Sequence, residues 1–141
     1  MPTRQEIIDN TKSDIEEKLN KHYGYNTNIV SVIYGVPHPN DVNQYPALGF
    51  KMINDVILDE DLGGERERQA LFVVVGYTNN VDDLSIFSED VEKFLYSEDY
   101  RYGDETMLST EGVTFTAEGI SGEVGKSIFD LFFIVNYTQE F

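Results

Sequence analysis

The sequence predicts an α+β fold over residues 1–141: a mainly antiparallel sheet of four to six strands with a long β-hairpin, packed by two α-helices. Three observations carry this expectation. Residues 47–58 and 70–77 are apolar, β-type runs joined by a charged, glycine-bearing stretch at 59–68, which is how a long hairpin reads. Segments with apolar residues three or four apart precede and follow that hairpin. The last third of the chain then holds short runs rich in β-branched and aromatic residues.

The first helix is predicted at about 4–22. Thr3 and Glu6 have the spacing of a capping box, in which hydroxyl and carboxylate each satisfy a free backbone N–H. Ile8, Thr11, Ile15, Leu19 and His22 mark its inner face, the outer face is polar, and Gly24 is the expected stop. His22 would lie near the C-terminus of the helix, where the dipole favours a cation. Residues 28–35 read as a strand, and Pro37, Pro39 and Pro46 require a loop, because proline cannot donate to a ladder.

In the hairpin, the tip at 59–68 is expected to be solvated. The unbroken apolar run 71–75 implies burial on both faces or at a subunit contact. The second helix opens at Asn80, with Asp82 and Asp83 complementing its dipole. Leu84, Phe87, Val91, Phe94 and Leu95 form its apolar face, with Glu89, Asp90, Glu92 and Lys93 between them. A polar turn at 97–105 leads to strands at 106–108, 113–117 and 128–137.

Composition removes several functions. Ten Lys and Arg against 26 Asp and Glu give a formal charge of −16, which repels phosphate backbones and anionic lipid. The absence of cysteine removes disulfides, thiolate metal sites and a thiol nucleophile. No apolar run approaches the roughly 20 residues of a membrane helix, and the N-terminus lacks the layout of a secretory signal. A soluble, intracellular protein is expected.

Candidate chemistry is sparse. Residues 119–127 resemble a phosphate-binding loop, but the first glycine is off register: Ile120 stands five before Gly125. The segment also opens a strand-like run where that motif needs a helix, so a glycine-rich hairpin turn is the better reading. Asp59, Asp61, Glu65 and Glu67 do not follow the calcium-loop pattern, since Leu62 and Gly63 come directly after Asp61. The only histidines, His22 and His38, match no zinc-hydrolase spacing. In a chain with 26 acids a pair such as Asp82 and Asp83 arises without function. The sequence therefore predicts no catalytic, cofactor-binding or metal-binding residues, no cofactor, and no enzyme.

The order of elements resembles the tail terminator, or tail-completion, proteins of long-tailed bacteriophages. The resemblance rests on a capped N-terminal helix, a strand ending in a proline-rich loop and the entry Tyr45-Pro46-Ala47-Leu48-Gly49-Phe50. It continues through the charge-tipped hairpin, a helix opened by Val81-Asp82-Asp83 and closing strands that end near Tyr137.

It implies a structural virion protein, assembled in the host cytoplasm, that forms a ring, commonly of six copies, on the head-proximal end of the tail tube. Such a ring stops tube growth and offers a surface for head–tail joining, so its partners would be itself, the tube protein and the head connector. On this reading the hairpin packs across a neighbouring copy, with Asp61, Leu62, Arg66, Arg68, Leu71, Val73 and Val75 as interface candidates. The alternatives are a head-completion or connector protein of the neck, or a small acidic binding protein that mimics nucleic acid.

Overall fold

The structure, a computed structural model, describes residues 2–60, 63–108, 112–118 and 126–140. Helix α1 runs Arg4–Lys18, and Thr3 Oγ1 caps it by accepting from the Glu6 amide at 3.2 Å. It stops four residues short of the expected end. Leu19 leaves the helical conformation, and Asn20 bonds the Glu17 carbonyl at 2.8 Å while capping a separate 3-10 turn at Lys21–Tyr23. Asparagine offers the backbone this kind of local alternative to a helix. Gly24, at φ +92°, ends that turn, and His22 lies exposed beyond the helix.

The buried face of α1 is Ile7, Thr11, Asp14 and Ile15, with Leu19 following; Ile8 is only partly covered. Asp14 contradicts the polar-outward expectation. Its carboxylate is held inside by the Arg101 amide at 3.0 Å and by the Arg101 guanidinium at 2.7 and 3.1 Å. A buried charge with three donors is compatible with the interior, whereas an unpaired one is not.

The strands are β1 (Ser31–Tyr34), β2 (Ala47–Glu60), β3 (Glu65–Thr78), β4 (Thr106–Leu108), β5 (Thr114–Glu118) and β6 (Lys126–Glu140). β1 is shorter than the 28–35 expected, and β6 is longer than 128–137. The hairpin strands continue to Glu60 and from Glu65, so the connection is far tighter than 59–68. Each hairpin strand has 14 residues, roughly 45 Å of extended chain. Of the glycine-rich turn expected at 119–127, residues 119–125 lie outside the described residues, and Lys126 already belongs to β6. Beside it, β5 and β6 pair antiparallel from Glu118↔Lys126, so the chain after Gly125 is a strand.

Helix α2 (Val81–Tyr96) begins as expected. The Asn80 side chain accepts from the Asp82 amide at 3.0 Å, and Asp82 and Asp83 occupy the first turn. Asn80→Ala is expected to cost about 1 kcal/mol, read as a lowered urea midpoint with an unchanged slope. One residue of this helix departs from expectation: Asp90 is buried. It accepts from the Asn26 amide at 3.1 Å and the Thr27 hydroxyl at 2.6 Å, tying the loop before β1 to the helix.

Among the described residues these elements form an α+β fold with one mostly antiparallel sheet. The strand order is β1-β2-β3-β6-β4, and β5 also pairs with β6, beyond the end of β4. Of the described strand pairs, only β1–β2 is parallel. Both helices pack on one sheet face. There Phe50, Phe72, Val74, Phe129, Leu131 and Phe133 meet α1, α2 and Tyr100. Phe72 stacks on Phe133 at 4.9 Å, and Phe129 meets Phe87 edge-on at 5.1 Å. Strand alternation sends the intervening residues to the other face.

Candidate assembly surface

Among the described residues, neither α-helix packs on that second face. Leu71, Val73, Val75 and Tyr77 of β3 point to it, in register with Ile134, Phe132, Asp130 and Ile128 of β6. Met107 of β4 extends the row of Leu71 and Ile134. One end of the face is covered by the proline-rich segment 37–46, whose sequence suggested no role. Val42 and Tyr45 pack on Ala47, Val75 and Tyr77. The Tyr77 hydroxyl donates to the Pro37 carbonyl and the Tyr45 hydroxyl to the Val42 carbonyl, each at 2.6 Å. Burial raises the Tyr77 phenol to about 12, so this latch stays protonated through the neutral range.

Among the described residues, nothing covers the face beyond that loop. Leu71, Val73, Phe132 and Ile134 are only half-buried, and Met107 is 54% exposed. Large contiguous apolar patches of uncovered surface are a common signature of interaction sites in soluble proteins. Further exposed apolar residues stand at opposite margins of the sheet. Ile53, Val56, Ile57 and Leu58 lie on β2, and Met107 and Phe115 on β4 and β5.

The distal half of β2, β3 and β6 projects as a three-stranded arm, beyond β1 on one side and β4 on the other. Its base is tied to the body by one carboxylate. Asp55, with its side chain 7% exposed, accepts from Arg68 Nε at 3.0 Å, from Arg4 Nε at 2.7 Å and from the Tyr137 hydroxyl. Burial opposes its charge, but the bonds from Tyr137, Arg4 and Arg68 outweigh that and hold it below the usual aspartate range. Burial, reinforced by Asp55, pushes the Tyr137 phenol up. Asp55 follows a register shift between Met52 and Asn54, and its amide bonds the Asn54 side chain at 2.9 Å. Bulges re-aim side chains in this way.

The interface candidates separate accordingly. Asp61 and Leu62 lie outside the described residues. Arg66 is half-buried on β3, in register with Gln139. Arg68 is a correction: it is buried within the chain, bonded to Asp55 and to Gln139 Oε1 at 3.3 Å, because a guanidinium beside a shielded carboxylate must pair with it. Val75 is a second correction, since the 37–46 loop closes over it. Leu71 and Val73 stand on the open face. Sequence reasoning missed Phe132, Ile134 and Met107, their partners across the strands. A period-two pattern in 128–137, tracked in register with 71–77, could have found Phe132 and Ile134.

A groove of about 660 Å³ opens near the arm base, lined among others by Pro2, Leu58, Arg68, Tyr102, Glu105 and Tyr137. Its Arg68 and Tyr137 are committed to Asp55, which leaves them unavailable for acid–base work on a ligand. Among the described residues no group of three or more His, Asp or Glu could hold a metal, and no helix is long and apolar enough to cross a membrane. No family model and no curated protein matches the chain.

Proposed function

We propose that this chain is a structural, ring-forming protein of the tail-terminator type. On this reading it caps the head-proximal end of a phage tail tube and presents its other side to the head connector. The observation that carries the reading is the apolar sheet face around Leu71 and Val73, left uncovered among the described residues, in a sheet whose opposite margins expose different apolar residues. Distinct surfaces on opposite sides join head-to-tail, and such contacts close into rings when the rotation permits. The charge of −16 suits a lumen that DNA traverses without adhering.

The expected result is a closed ring, near six times 16.1 kDa, seen by electron microscopy at the ends of tail tubes. Leu71→Asp combined with Val73→Asp abolishes that ring while leaving the far-ultraviolet circular dichroism unchanged. Protein that neither forms rings nor decorates tube ends in the presence of tubes overturns the proposal. The same charge favours a second reading, a nucleic-acid mimic, which instead requires salt-labile capture of a basic DNA-binding protein.

A further inference from the structure

We propose that two copies of this chain join through the free edge of β6 at residues 136–140, each adding an antiparallel strand to the other's arm about a twofold axis at Thr138. The proposal is independent of the ring reading, because a twofold contact closes at two copies and a ring must use other surfaces.

Edge strands expose unpaired amides and carbonyls, and proteins usually guard them. This one guards two of its edges. Where β1 ends beside β2, the Tyr34 hydroxyl accepts from the Met52 amide at 3.1 Å, and β2 then breaks register after Met52 and again after Ile57. On β4, the Tyr96 hydroxyl accepts from the Leu108 amide at 2.9 Å. The edge of β6 has none of these devices. β4 leaves it at Thr106↔Val135, and among the described residues nothing pairs the outer side of 136–140. On its inner side it keeps an unbroken register with β3, from Gln69↔Asn136 to Glu65↔Glu140. The segment contains no Pro, Lys or Arg.

The edge is also held ready. Tyr137 is fixed by Asp55, Gln139 accepts from Arg68 at 3.3 Å, and Asn136 accepts from Gln69 at 3.2 Å. Little freedom remains to be lost when a strand arrives. Strand addition of this kind draws affinity from main-chain bonds and selectivity from alternate side chains.

A second copy is the occupant because its side chains match in this register. Thr138 faces Thr138 of the other copy, Tyr137 faces Gln139, and Asn136 faces Glu140. In a chain of charge −16, the single acid of the segment meets an amide and no like charges are opposed. Threonine pairs favour the contact, whereas opposed like charges would not.

The test places charge at the twofold axis. In the absence of tail tubes, the wild-type chain is expected to sediment at twice 16.1 kDa. Thr138→Lys and Thr138→Glu are each expected to lose the two-copy species, with unchanged circular dichroism. Mixing the two variants in equal amounts restores it, because lysine then faces glutamate. A wild-type chain that stays single at its highest soluble concentration overturns the proposal, as do variants that remain paired or a mixture that does not recover. Loss of rings in the Leu71→Asp and Val73→Asp chain with pairs retained separates this contact from the ring surface.

Discussion

Asp55→Ala is expected to lower the unfolding free energy by about 3 kcal/mol, because it strips a buried guanidinium and a buried phenol of their shared acceptor. Arg68 is 9% exposed and Tyr137 8%, so neither regains its lost bond from bulk water at little cost. Arg4 is half exposed and loses much less. The loss should appear first in the arm. Hydrogen exchange is expected to accelerate in β2 and β6 near residues 53–58 and 136–140 before it does in the Phe72–Phe133 core.

The same residue gives stability a defined dependence on pH. Its folded value lies below the unfolded one, so its contribution is complete above the ordinary aspartate value near 4. That contribution is lost as the pH falls through the lowered folded value. Asp55→Asn, measured against wild type by urea denaturation, should therefore show a gap that is constant at neutral pH and shrinks on acidification below about 4. A gap that stays constant to the acid limit would mean that the carboxylate is not held as described.

Gly76→Ala is the second large effect. A Cβ at this position would lie 2.0, 2.4 and 2.7 Å from three atoms of the Phe129 ring. Phe129 is fully buried, pairs with Gly76 across the strands and packs edge-on against Phe87 of α2. The ring is fully buried against that helix, so overpacking is expected to cost about 2–3 kcal/mol. Phe129→Leu in the same chain should recover part of the loss by making room, giving a non-additive double-mutant cycle. Additive losses would show that the glycine is needed for another reason.

The two halves of the molecule were not equally legible. The α2 cap at Asn80, its apolar face and the hairpin follow from local rules, since N-caps, helical periodicity and alternation act within a few residues. The end of α1 did not follow, because Asn20 turned the backbone into a separate 3-10 turn. Asp14 and Asp90 read as outward acids because their partners, Arg101 and the Asn26–Thr27 loop, lie 87 and 63 to 64 residues away. Leu71 and Val73 stand out in the sequence as part of a continuous apolar run, whereas the burial of Arg68 and Val75 within the chain is not visible there.

The sequence by itself determined the α+β class, both helix starts, the hairpin and the acidic surface, because each is written in spacing, capping chemistry or charge within one stretch of chain. Tertiary structure alone decided which face of the apolar run stays open, that the 37–46 loop closes over Val75, and that Asp55 gathers Arg4, Arg68 and Tyr137. Those outcomes depend on strand register and on which distant residue arrives to pair a buried charge or cover an apolar one. A local pattern specifies that such a side chain needs a partner, while the fold supplies the partner.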